Sequence, residues 1–254
     1  MDRMLFLAMG GAKQAEWQQA TTSNNMANAS TNGFKADQVS FRALPAVGQG
    51  APTRVFVADN TIGQDMSQGQ LERTGNPNDF AVATPGFFAV QSPGGGEAYT
   101  RGGGYVLDST GMMRTRGGLP ILGSTGSPIT VPLGQKIEIG SDGTVTAVSP
   151  TDTAAQPVPV GQIKLVNPGN KAVFKGEDGL FHLNVTTATP AGSQASSDPT
   201  VQLVTGSLES SNVNVVDSLV QMISHSRMFD LNTKLMTTAD QDDRQATQLL
   251  TISG

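Results

Sequence analysis

The feature that most constrains this chain is its last fifth. Residues 207–253 contain no glycine and no proline. Val215, Met222, Phe229, Met236 and Leu250 fall on a seven-residue repeat that only Asp243 interrupts. Val216, Leu219, Ile223, Leu235, Ala239, Ala246 and Leu249 widen that stripe. The spacing predicts one helix of roughly 35 residues, about 50 Å long at 1.5 Å per residue. Ser211 and Asn212 are the candidate N-caps ahead of Val213. A helix with a single apolar stripe gains its stability from packing, so this one requires a partner helix.

The nearest partner is the other end of the chain. Residues 1–31 lack proline, and their only glycines are Gly10 and Gly11. Met1, Met4, Leu5, Ala8, Ala12 and Ala15 share a helical face. The stripe thins to Thr22, Met26 and Ala29 before Asn32-Gly33, which reads as a left-handed helix end. This stripe is too short to cover the C-terminal one. The uncovered remainder would be a liability on a monomer, which favours packing between chains.

The middle reads as β. Ile137-Glu138-Ile139 and Thr144–Val148 alternate around Asp142-Gly143, a hairpin signal. Tyr105–Leu107 with Met112-Met113, and Val173-Phe174 with Leu180–Leu183, flank similar glycine turns. Phe80–Val82 and Phe87–Val90 surround Thr84-Pro85-Gly86. Residues 186–200 read as an exposed loop, and Gln38 to Gly69 as an extended arm. The predicted class is α+β. Terminal helices pair as a coiled-coil core domain around a central antiparallel all-β domain of sandwich or barrel type. The segments are 1–35 (N-terminal helix), 36–79 (arm), 80–205 (β domain) and 206–254 (C-terminal helix).

Composition removes several functions. Hydrophobic residues make up 37% of the chain and aromatics 5%, against 30 glycines and 14 prolines, which suits a turn-rich β body. A net charge of −5 leaves no basic stripe for nucleic acid. With no cysteine there is neither a disulfide nor a thiolate metal site. No run of about 18 apolar residues occurs, so no membrane-inserted helix is expected. Met1–Met9 has too short an apolar stretch, and Asp2 in the wrong place, for a cleaved signal. His182 and His225 have no metal-ligand spacing, and Gly94–Gly96 and Gly102–Gly104 lack the Lys-Ser/Thr of a phosphate loop. No catalytic residue, cofactor site or metal site is expected.

Three blocks then resemble a known family. Asn24-Asn25-Met26-Ala27-Asn28-Ala29-Ser30-Thr31-Asn32-Gly33-Phe34-Lys35 is similar to the N-terminal signature of flagellar rod and hook proteins. Thr74–Phe80, Gly86–Val90 and Tyr99-Thr100-Arg101 resemble their central block, and Gly206–Val213 their lead-in to the C-terminal helix. Residues 140–200 resemble it least, and the length leaves no room for the outer domain of a hook protein. Within the family the two ends look most like the proximal rod type, with the distal type as closest rival.

The resemblance implies a mechanical job. Such a chain is exported unfolded through the flagellar type III apparatus and polymerises in the periplasm with other rod proteins and copies of itself. It implies that Met4, Leu5, Ala8, Ala12, Val216, Leu219, Met222, Ile223, Phe229, Leu235, Met236 and Leu250 form interface stripes. Asn24, Asn25 and Asn28 would hydrogen-bond between packed helices, and Phe34 would turn the chain out of the core. A secreted β-rich carbohydrate-active protein is the alternative from another class, although no paired acid site is tied to a motif.

Overall fold

A computed structural model describes residues 2–45, 55–149, 156–169, 172–184 and 194–252. It is α+β, with one helix at each end and a largely antiparallel β body between them. The chain divides into two compact units. Unit 1 holds both helices and residues 36–65. Unit 2 holds residues 30–35 and 66–212.

In unit 1, α1 spans Asp2–Ala27 and α2 spans Val215–Ile252. At 1.5 Å per residue these are about 39 Å and 57 Å long. The two pack along each other. Ala8, Ala12, Ala15 and Thr22 are buried on α1, and Ser218 and Ala239 on α2. Gly11 lies against the Asn232 side chain, where a Cβ would come within 2.6 Å of Oδ1. That contact fixes the direction of the pair. A parallel α2 would carry Ser218 past the N-terminus of α1, whereas an antiparallel one sets Ser218 to Ala239 within its length. The helices therefore run antiparallel, and small residues allow the close approach.

Both helix ends differ from the expectation. α1 stops at Ala27, and Gly33 supplies the expected left-handed residue (φ 71°) six positions later, after a turn. The N-cap of α2 is Asn214, whose Oδ1 accepts from the amides of Val216 (3.0 Å) and Asp217 (3.3 Å). Asn212 is engaged elsewhere, with its Nδ2 donating to the Ser67 carbonyl at 3.2 Å. Asp37–Pro45 and Val55–Gln64 pair antiparallel in the same unit, with a register shift between Val39 and Phe41.

Unit 2 is built on a five-stranded antiparallel sheet. Its order is Leu165–Val166, Phe87–Gln91, Glu97–Thr100, Phe181–Leu183 and Val173–Lys175. Alternate side chains serve two separate cores, as the two-residue period requires. Phe88, Val90 and Ala98 face a cluster with Phe80, Met113, Ile121, Val145 and Ile163. Phe87, Ala89 and Tyr99 face one with Leu122, Val166 and Phe181. Burial raises the Tyr99 hydroxyl far above its usual range.

The hairpins expected from alternation form. Lys136–Ile139 pairs with Thr144–Val148, Tyr105–Leu107 with Met113–Thr115, and Val173–Lys175 with Phe181–Leu183. Phe80–Val82 and Phe87–Gln91 do not pair with each other. The first joins Leu203–Thr205, 121 or more positions on, and Leu71–Arg73 joins Ser207–Glu209. Residues 186–193 of the expected loop lie outside the described residues.

Candidate assembly surface

The residues singled out from the sequence fall into three places. Ala8 and Ala12 lie on the inner face of α1. Met222 and Met236 lie half-buried on the inner face of α2, with Phe229 between them at 39% exposure. Val216, Leu219, Ile223 and Leu235 project to solvent, Val216 at 69% and Ile223 at 55%, and Leu5 is at the margin. The side chains of Met4 and Leu250 lie outside the described residues.

The inner face of α2 follows a seven-residue phase: Ser218, Met222, His225, Phe229, Asn232, Met236, Ala239. Three of these are polar. Bulk apolar side chains, including Val220 and Leu231 at 63% exposure, sit outside. The apolar stripe thus has two edges with different neighbours. Ser218, Asn232 and Ala239 alternate there with the larger Met222, Phe229 and Met236, and the small groups are where α1 comes closest. Antiparallel counting from Gly11 and Asn232 puts Gln18 opposite His225. Gln18 Oε1 and His225 Nδ1 are buried, and neither has a hydrogen-bond partner. Burial lowers the His225 pKa below its ordinary value, since the imidazolium would lose hydration there.

The asparagines are used locally. Asn25 brackets the backbone of Asp37, its Nδ2 donating to the carbonyl at 2.9 Å and its Oδ1 accepting from the amide at 2.8 Å. Asn28 Nδ2 donates to the Asn24 carbonyl at 3.0 Å, and Asn24 itself is exposed. Phe34 belongs to unit 2, where the Lys175 ammonium lies 4.0 Å from its ring centroid.

One cluster was not anticipated. Glu209 is fully buried, and its Oε1 accepts from Lys35 Nζ at 2.7 Å and from the Gly69 amide at 3.0 Å. Its Oε2 accepts from Arg101 Nε at 2.6 Å. The remaining guanidinium donors go to the carbonyls of Val82 (3.1 Å), Thr84 (3.3 Å) and Gly86 (2.7 Å). Lys35 Nζ also donates to the Ser67 carbonyl at 2.6 Å. Gly33 completes the joint, its amide donating to the Glu209 carbonyl at 2.8 Å. A Cβ on Gly33 would meet the Arg101 carbonyl carbon at 2.3 Å. Lys35, Arg101 and Glu209 end or sit within the three blocks quoted above, and the fold brings all three to one point.

Among the described residues, no three of His, Asp and Glu converge on a possible metal position. His182 pairs with Asp178 at 3.1 Å. No described helix is long and apolar enough to cross a membrane.

Comparison with known proteins gives the family. Three family descriptions match in order along the chain: "Flagella basal body rod protein" over residues 5–35, "Flagellar hook protein FlgE/F/G D1 domain" over 81–147, and "Flagellar basal body rod FlgEFG protein C-terminal" over 204–249. The flagellar basal-body rod protein FlgF of Escherichia coli K12 is 41% identical over 253 residues, covering 100% of both chains. The chain belongs to the flagellar basal-body rod protein family. FlgF of Salmonella typhimurium LT2 is 40% identical over the same span and coverage. FlgG of Bacillus subtilis 168 is 32% identical over 258 residues, covering 95% of this chain and 96% of its own. This rod-family protein is structural and not an enzyme, and it acts in the basal body together with other rod proteins. Full-length membership sets aside the carbohydrate-active alternative.

Proposed function

We propose that the chain is a FlgF-type subunit of the proximal rod, incorporated through its two terminal helices. The observation that carries this reading is the outer face of the helix pair. Val216, Val220, Ile223 and Leu231 are more than half exposed on α2, as are Phe6 and Met9 on α1. So many large apolar side chains exposed on one helix pair mark it as interaction surface. The 41% full-length identity to Escherichia coli FlgF, against 32% to Bacillus subtilis FlgG, favours the proximal position.

In this reading the helices of unit 1 form a coiled-coil core domain that also carries residues 36–65, and unit 2, residues 30–35 and 66–212, is a β domain of sandwich type. The inner stripe, with Ala8, Ala12, Met222 and Met236, holds the pair together. Val216, Leu219, Ile223 and Leu235 meet neighbouring rod subunits. Export goes through the flagellar type III apparatus, and assembly follows in the periplasm. The distal position is the second reading, supported by the nearly full-length match to FlgG.

Electron microscopy of basal bodies carrying tagged protein tests it. Label beneath the distal rod supports the proximal position, and label along the distal segment supports the second reading. Absence from basal bodies refutes both. Phe229→Asp, which sets a carboxylate against the helix seam, is expected to abolish incorporation and motility. Normal swarming by that variant would contradict the assigned role of the seam.

A further inference from the structure

The outer faces of the two helices are complementary to each other, although they point away from each other within one chain. On α1 the outward row is Phe6, Gly10, Lys13, Trp17, Ala20 and Asn24, at helical spacing and opposite the buried Ala8, Ala12 and Ala15. Phe6 is 53% exposed. Lys13, Trp17, Ala20 and Asn24 also line a shallow hollow. On α2 the outward row runs Val216, Val220, Ile223, Arg227, Asp230 and Lys234, and its second half borders another hollow, beside Leu231 and Thr237.

We propose that the α1 outer face of one copy docks antiparallel on the α2 outer face of a second copy. The register sets Gly10 at Lys234, Lys13 at Asp230, Trp17 at Arg227 and Ala20 at Ile223. Four features of the two faces meet at once in that register. Lys13 and Asp230 are opposite charges. In the single chain Lys13 Nζ lies 6.0 Å from the Trp17 ring centroid; on docking Arg227 takes that place beside Glu16, a favourable cation–π arrangement, and Lys13 turns to Asp230. Gly10, which has no atom within 4 Å of where its Cβ would be, leaves room for the long Lys234 side chain. Ile223 meets Trp17 and Ala20, the apolar side of a hollow whose other walls are Lys13, Glu16, Thr21, Asn24 and Asp37.

Sliding α2 by one heptad breaks the match. In one direction Lys13 is covered by Ile223, which strips water from an ammonium with no partner. In the other, Lys13 faces Thr237 and Asp230 faces Ala20, so the Lys13–Asp230 pair is lost and Asp230 is left against a methyl group, although Lys234 then meets Trp17 in place of Arg227. The docked surfaces differ, so the contact is heterologous and leaves a free α1 face at one end and a free α2 face at the other. Repeating it gives an open chain of subunits, as a shaft requires. The proposal rests on the rod reading above and names the neighbour on this face as another copy.

The absence of native cysteine makes a disulfide test clean. Full-length Lys13→Cys and Asp230→Cys variants, differently tagged, are co-expressed, oxidised and recovered in basal bodies. The expected product carries both tags at twice the 26.4 kDa monomer mass. Lys13→Cys with Thr237→Cys, two turns out of register, is expected to give none. Basal bodies that contain the chain but yield no 13–230 product, or as much 13–237 product, overturn the proposal and leave the rod reading standing. A cysteine-free tagged chain followed in parallel separates the two, because its absence from basal bodies refutes the rod reading itself. Should the variants fail to incorporate, the same pair is mixed as purified full chains. There the 13–230 link either forms or the proposal falls.

Discussion

Replacing Glu209 by Gln is the sharpest test of how unit 2 is held. The substitution keeps the shape of the side chain and removes its charge. Lys35 and Arg101, 2% and 4% exposed, would then share a buried site with no anion. Removing one partner of a buried ion pair costs about 3–5 kcal/mol. Arg101 retains three carbonyl acceptors and Lys35 retains Ser67, so the lower end applies. About 3 kcal/mol is a large share of a domain stability of about 5–15 kcal/mol. For a unit of about 150 residues, at about 2–4 °C per kcal/mol, the midpoint should fall by about 6–12 °C.

Differential scanning calorimetry of the full chain measures that shift. Hydrogen exchange at the Gly69 amide, which donates to Oε1, locates it. Adding Lys35→Met should recover part of the loss by removing one stranded cation, a non-additive result expected within one network. A loss under about 1 kcal/mol would refute the reasoning, because it would equate the cluster with a solvated surface pair.

The two adjacent glycines of α1 should respond in opposite directions. Gly10→Ala adds a methyl in open space and should stabilise the helix pair by about 0.5–1 kcal/mol, whereas Gly11→Ala must displace Asn232 and its bond to the Met228 carbonyl. Urea melts at 222 nm check both. Asn25→Ala removes both bonds to the Asp37 backbone and should cost about 1–3 kcal/mol, with faster exchange of the Asp37 amide. The helix pair should also weaken in acid. The folded His225 pKa is lowered, so below the unfolded value of about 6.5 the unfolded chain takes a proton that the seam resists. Helix stability should fall from pH 7.5 to pH 5.5, and His225→Gln should flatten the difference.

Much of this was legible in the sequence because it is local. The Gly- and Pro-free tail specified α2, and Asp142-Gly143 between alternating residues specified its hairpin. The three motif blocks placed the chain in its family without any contact between them being visible. The helix caps were legible only in type. An asparagine does cap α2, but it is Asn214, since three polar candidates precede Val215 and only the fold engages Asn212 elsewhere.

What the sequence determined by itself is therefore the periodic and the contiguous: two terminal helices, glycine-turned strands and the order of the motifs. The tertiary structure decided which edge of each stripe faces inward. Spacing of three and four residues describes an inner and an outer seam equally well, and close approach of α1 favours Ser218 and Asn232 over Val216 and Ile223. It also decided that Lys35, Arg101 and Glu209, up to 174 positions apart, share one buried site. No local propensity encodes that meeting; desolvated opposite charges become partners only when strands distant in sequence have paired around them.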